Sequence, residues 1–147
     1  MPWVIREYAD DDFAAMYALD QLCFEPGVAY SREMLRFFLN LATAVRLVAD
    51  DAGRLAGFVL GESASGVGHV ITLDVAVEYR RAGLGSALIE ALEQRMAGHG
   101  VRDMVLETSV ENPAGIAFWE RHGYRSEAVL KKYYLRKVDG LEMWKRI

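Results

Sequence analysis

Apolar residues along this chain recur at either two-residue or three-to-four-residue steps, and the order of the two patterns predicts the elements. Val4-Ile5-Arg6-Glu7-Tyr8 reads as a first strand. Phe13, Met16 and Tyr17 then fall at helical spacing behind Asp10-Asp11-Asp12, which offer a cap and favourable first-turn acids. Pro26-Gly27 breaks that helix, and Ser31 opens a second, short one through Leu41. Ala44 to Ala49, a turn at Asp50-Asp51-Ala52-Gly53, and Leu55 to Leu60 form a predicted β-hairpin. Gly68 to Val75 is a further strand, dense in β-branched residues.

Beyond a glycine-containing loop, Leu84, Leu88, Ala91, Leu92 and Met96 make one apolar helix face that Gly98 and Gly100 terminate. Met104 to Thr108 is a buried-looking strand. Pro113 starts a short helix that Gly123 stops, and Val129 to Leu135 and Leu141 to Trp144 pair as closing strands. The order β-α-α-β-β-β-α-β-α-β-β is mixed α/β (α+β), with a largely antiparallel first half. No repeat, low-complexity tract or linker divides residues 1–147, so one domain is expected.

Composition narrows the class. With 52% hydrophobic and 26% charged residues the chain has the balance of a globular protein with a sizeable core. The net charge of −4 gives no general pull toward nucleic acid. Charge is uneven, however: residues 1–30 are acidic apart from Arg6, and residues 121–147 are predominantly basic. A solvated surface explains this by default, and a positive surface near a phosphate-rich ligand is the sharper alternative. Cys23 is the sole cysteine, and no Cys/His cluster has zinc spacing, so no metal is expected. No segment reaches the ~18–20 apolar residues of a membrane span, and the N-terminus lacks a signal-peptide pattern, so a cytoplasmic protein without membrane partners is expected.

The candidate chemistry begins at Arg80-Arg81-Ala82-Gly83-Leu84-Gly85-Ser86, between a strand and an amphipathic helix. Glycines let backbone approach a ligand, and the first helical N–H groups have no internal partner, so the segment can bind an anion such as a pyrophosphate. Arg80 and Arg81 would add charge-assisted hydrogen bonds. A nucleotide P-loop requires Lys-Ser/Thr after its last glycine, where this chain has Ser86-Ala87, and a dinucleotide fingerprint requires a third small residue, where it has Leu88. On glycine spacing alone, an ordinary strand-to-helix turn stays an equal rival.

Arg-x-x-Gly-x-Gly after Thr72-Leu73-Asp74-Val75 resembles the coenzyme A signature of the GNAT superfamily of N-acetyltransferases. Leu106 to Ala114 and Ala117 to Tyr124 resemble its Asn-x-x-Ala and Glu-Lys-x-Gly-Phe segment. Lys131-Lys132-Tyr133-Tyr134 is similar to the ending of RimI-like N-terminal acetyltransferases. The resemblance covers roughly residues 44–145. It implies a mostly antiparallel central sheet flanked by helices, with two splayed strands holding acetyl-CoA. It implies that Leu73 and Val75 offer backbone groups to the acetyl and pantetheine parts, and that amides from Arg81 to Ser86 hold the pyrophosphate. Asn112 would contact the pantetheine arm or cap the Pro113 helix.

The implied reaction is attack of a primary amine, from a protein or peptide N-terminus or a small molecule, on the thioester. Glu107 stands in the register of the family's proposed general base, and pairing with an arginine such as Arg102 is its structural alternative. Trp119 replaces the family's tyrosine acid, and indole is no usable acid, so it reads as a wall of the cofactor channel or a core residue. Its presence also leaves room for a non-catalytic acetyl-CoA-binding module. Tyr134 is the candidate phenol and Tyr133 a candidate acceptor-binding residue. Phe24, Glu25 and Tyr30 line the expected acceptor loop, with Glu25 offered to an ammonium. His69, a lone strand histidine, and Cys23 read first as structural, and Asp74 as acceptor-facing or as a buried polar contact. Late strand edges permit a homodimer without requiring one.

Overall fold

The computed structural model describes residues 2–147. Its strands are β1 (Val4–Glu7), β2 (Val45–Asp51), β3 (Arg54–Ala64), β4 (Val67–Val75), β5 (Asp103–Ser109), β6 (Arg125–Tyr134) and β7 (Val138–Arg146). Its helices are α1 (Phe13–Cys23), α2 (Arg32–Leu39), α3 (Leu84–Gly98) and α4 (Pro113–Arg121). These elements follow one another in the order expected from the sequence. All seven strands join one sheet in the order β1-β2-β3-β4-β5-β7-β6, antiparallel throughout except for the parallel pair β4–β5.

Local chemistry sets the boundaries. Ser31 accepts the Met34 N–H at 3.1 Å and so caps α2, as its residue type and position dictate. Asp12 behaves differently from the expected forward cap of α1. Its carboxylate turns back to accept from the Ala9 N–H at 2.8 Å and from both terminal nitrogens of Arg6 at 2.9 Å, because a short 3-10 turn at Asp10–Asp12 precedes the helix. Strand β3 runs past Leu60 to Ala64 and returns through Ser65-Gly66, both at positive φ, which is the tight turn favoured between antiparallel strands.

Helices cover both faces. The alternation of β3 sends Gly57 toward Leu84 and Leu88 of α3, and sends Phe58 and its cross-strand partner Asp74 toward α1. A β-carbon at Gly57 would lie 2.7 Å from the Asp74 carbonyl oxygen and about 3.2–3.3 Å from the two leucines, so α3 rests directly on bare backbone. Leu84, Leu88, Ile89, Leu92 and Met96 are buried along that contact.

The sheet is interrupted at its centre. β4 and β5 pair only at Val67–His69 with Asp103–Val105, and beyond this the two strands diverge toward their C-terminal ends. The divergence coincides with a β-bulge. Leu60 pairs with Thr72 and Gly61 with Val70, so Ile71 is the extra residue that bends β4 away. Replacing Gly57 with alanine should lower stability by about 1–3 kcal/mol through overpacking against α3, read as a lower denaturant midpoint with an unchanged slope.

Candidate functional site

Where β4 and β5 part, a cavity of about 820 Å³ opens between them. Ile71, Leu73 and Val75 line it from β4, and Leu106, Glu107 and Thr108 from β5. The facing edges of the two strands make no ladder with each other here. Backbone groups left without a ladder partner there can therefore receive an extended, amide-bearing ligand laid in as an extra strand.

Helix α3 opens onto this cleft. Its N-cap is Gly83, whose φ of 84° is the left-handed conformation that glycine adopts without strain, and no side chain caps the helix. The first intrahelical bond of the turn runs from the Ala87 N–H to the Gly83 carbonyl. The N–H groups of Leu84, Gly85 and Ser86 thus lack side-chain acceptors at the positive end of a 15-residue helix. That arrangement fits a diphosphate. A β-carbon on Gly85 would meet the Phe118 ring at 3.2 Å, so the cradle is shaped by α4 as well.

The arginines divide their work. Arg80 folds back, donating from Nε to the Val75 carbonyl at 3.1 Å, with Nη2 at 3.9 Å from the Cys23 sulfur. Its guanidinium is therefore held toward β4 and already shares Val75's carbonyl, because the short turn after β4 reverses the chain. Arg81 is exposed at the mouth with φ of 61°. Ser86 Oγ lies 2.9 Å from His122 Nε2, and that imidazole packs on Phe118 at 4.7 Å between ring centres. His122 escaped the sequence reading because only the packing of α4 against the loop brings it there. Asn112 Oδ1 accepts the Gly115 N–H at 3.0 Å and caps α4, while the residue also lines the cleft. Trp119 lines the cleft too, packed edge-on against Phe118 and Tyr124.

The other side of the cleft is acidic and phenolic. His69 is the register partner of Glu62 on β3 and of Val105 on β5, and Glu107 follows Val105 on the same face. His69 Nε2 meets Glu107 Oε1 at 2.8 Å, and Nδ1 lies 3.9 Å from Glu62. Burial alone would depress the ring's pKa, but the Glu107 hydrogen bond and the charges of Glu107 and Glu62 outweigh it and raise it above 6.5. Arg102, the partner weighed from sequence, makes no ion pair with Glu107 among the described residues. Tyr134 is held above the usual phenol value by burial, then by Tyr133 and Glu107, and Tyr133 is raised by burial and Glu107. Both reach the cleft from an irregular stretch of β6, where Lys132 takes a φ of 51° and its N–H is fixed by Asp139 at 2.8 Å.

The loop between α1 and α2 closes the same side. Phe24 and Tyr30 line the cavity, whereas Glu25 is exposed and lies outside the lining, its carbonyl accepting from Val28 and Ala29. The Tyr30 hydroxyl donates to the Ile71 carbonyl at 3.3 Å. At its tip Gly27 meets Leu135 of the β6–β7 hairpin, so loop and hairpin touch across the cleft. Cys23 also lines the cavity, but burial pushes its thiol up to about 11, which keeps it protonated at neutral pH.

The comparisons with known proteins supply the class to which this fold and cleft belong. The profile of the Acetyltransferase (GNAT) family matches residues 13–124, and the chain belongs to that family. It is 31% identical over 144 residues to an uncharacterized N-acetyltransferase of Methanocaldococcus jannaschii, covering 97% of this chain and 91% of the relative. It is 31% identical over 116 residues to N-alpha-acetyltransferase 30 of Schizosaccharomyces pombe, covering 76% and 77% of the two chains. The fold superposes on the crystal structure of Ard1 from Thermoplasma volcanium with a TM-score of 0.92 at 23% identity, over 100% of this chain and 99% of that one. The protein is an acetyl-CoA-dependent N-acetyltransferase. Among the described residues no helix is long and apolar enough to cross a membrane, and no group of side chains is arranged to hold a metal ion.

Because His69 is raised in the folded state, its pairing stabilises the protein fully below about pH 6.5 and progressively less as pH rises through the folded value. Titration of the imidazole by NMR should give a midpoint above 6.5 in the parent protein, and a lower one in Glu107→Gln, where burial is left less opposed.

Proposed function

We propose that the chain acetylates α-amino groups at protein or peptide N-termini, with Glu107 as the base. The observation that carries this reading is the Glu107–His69 contact at 2.8 Å, where the splayed strands begin. The resemblance of Lys132-Tyr133-Tyr134 to N-terminal acetyltransferases supports it, as does the likeness to a named N-alpha-acetyltransferase. Chemistry favours the α-amine as well. With a pKa near 7.8 about one α-amine in seven is neutral at pH 7, against roughly one lysine side chain in 2,500.

In this reading the bound co-substrate supplies an activated acetyl thioester. The amides of Leu84, Gly85 and Ser86 hold its diphosphate, and the free edge of β4 around Leu73 aligns the pantetheine arm. Asn112, its oxygen committed to Gly115, keeps an amide N–H₂ for the arm, and Trp119 walls the channel. Arg81 adds charge at the mouth, and Arg80 acts through the Val75 carbonyl. Phe24, Tyr30 and Tyr133 flank the acceptor. Glu107 takes the proton that the ammonium must lose before attack, and His69 fixes the carboxylate's orientation and shares the charge. Tyr134 remains a phenol at all working pH values and donates a hydrogen bond to the departing sulfur. With a pKa above that of a thiol, it stabilises the thiolate without surrendering its proton. No metal is required by this scheme.

Thiol release from acetyl-CoA should appear with a peptide bearing a free α-amine and vanish when that amine is blocked. Equal turnover on the blocked peptide or on a simple alkyl diamine would favour a lysine or small-molecule acceptor instead. Glu107→Gln should lower kcat/KM by about 10²–10⁴-fold with acetyl-CoA affinity retained. Tyr134→Phe should lower kcat by roughly 10- to 100-fold, the worth of one hydrogen bond to a charged group.

A further inference from the structure

Two acids that the scheme above does not use are buried beside the cleft. Asp20, near the end of α1, is 0% exposed, and Asp74 on β4 is 1% exposed. Asp20 Oδ2 accepts the Tyr30 N–H at 2.7 Å, and Asp74 Oδ1 accepts the Thr72 hydroxyl at 2.6 Å. The remaining oxygen of each, Asp20 Oδ1 and Asp74 Oδ2, is buried without any N–H or O–H partner. Helix α1 packs against β4, which sets the two side chains beside each other in the interior, and Asp20 is the neighbouring group that acts most strongly on the Asp74 carboxyl. Two ionised carboxylates are acceptors only and repel, so this geometry is stable when one of them carries a proton.

We propose that Asp74 carries a proton and donates it in a hydrogen bond to Asp20, forming a clasp that positions the acceptor loop, residues 24–30, on β4. The chain of contacts runs from the Tyr30 N–H through Asp20 and Asp74 to Thr72. It is closed at the other end of the same tyrosine by the bond from its hydroxyl to Ile71. Tyr30 is thus tied at its backbone and at its tip to the strand that borders the acetyl site. Asp20 and Asp74 act through Tyr30 and so are positioning residues.

The groups facing Asp74 are Asp20 and Cys23 from α1, Tyr30 from the loop and Arg80 after β4. Burial first, and then Asp20, hold the Asp74 carboxyl well above the usual range, against the opposing pull of Thr72 and of exposed Arg80. A raised acid stabilises the fold fully below the ordinary carboxylate range, and that contribution is lost as pH climbs through the folded value. Deprotonation at high pH therefore sets two buried charges against each other and loosens the loop.

The spectroscopic test needs no catalysis and stands whether or not the acceptor is an α-amine. Difference infrared spectra of the intact protein at neutral pH should contain a buried protonated-carboxyl band that disappears in Asp74→Asn. Absence of that band in the parent, or its persistence in the variant, overturns the proposal. The kinetic test rests on the acceptor reading of the loop. Asp74→Asn, whose amide imitates the protonated acid, should keep the acceptor KM within about twofold and remove the parent's rise in acceptor KM at alkaline pH. Asp20→Ala should raise acceptor KM about tenfold with acetyl-CoA KM unchanged. If Asp74→Asn shows the same alkaline rise as the parent, or Asp20→Ala shifts both KM values equally, the clasp does not position the loop.

Discussion

The parallel pairing of β4 with β5 lasts for three residues and then stops, and most of the functional architecture follows from that truncation. Peptide groups inside a protein need partners, and two diverging strands no longer supply them to each other; side chains take over at the Ile71 and Val75 carbonyls, which accept from Tyr30 and Arg80. Closing the gap would complete the sheet and erase the site. It is held open by the bulge at Ile71 on one side, and on the other by β7, whose continuous pairing along Asp103–Ser109 keeps β5 straight. The sheet is thus firm at both flanks and unfinished at its middle.

The helices that follow the two diverging strands inherit their direction. Both α3 and α4 therefore start near the cleft, and their openings differ in a useful way. α4 is capped by its own Asn112, whereas α3 begins on a glycine with no side chain to satisfy its amides. Only the second is free to take an anion. On the α1 face Glu62, His69 and Glu107 form a titratable row across three strands. The uncapped opening of α3 and the Glu62–His69–Glu107 row consequently occupy different parts of one cleft, served by opposite faces of one sheet.

Much of this was legible in the chain. Helix periodicity from Leu84 to Met96, the β-branched run before it and the Gly83-Leu84-Gly85 segment declare themselves through local chemistry, and the mostly antiparallel sheet with two splayed strands follows once the family resemblance is granted. What escaped reading depends on register and long-range packing. The bulge at Ile71 leaves no mark in composition, yet it decides which face His69 shares with Glu107. Arg80 reads as a phosphate ligand because a guanidinium beside glycines usually is one, and its contact with the Val75 carbonyl depends on the reversal after β4, which local chemistry does not announce. Glu25 looked available to an ammonium, and the turn that hydrogen-bonds its carbonyl leaves it exposed outside the cleft lining. Asp20 gave no signal in a helix otherwise read by its apolar spacing, since its partner Asp74 is brought near by the fold alone.

The meeting of Gly27 with Leu135 has a consequence for how such an enzyme diversifies. The two segments that touch there belong to distant stretches of sequence, and neither supplies an amide to the diphosphate mouth. Lengthening, shortening or recolouring these tips would redraw the entrance offered to an incoming amine while the grip on the acyl donor stays untouched. On the acceptor reading proposed above, selectivity is modular, carried by replaceable rims around a constant throat.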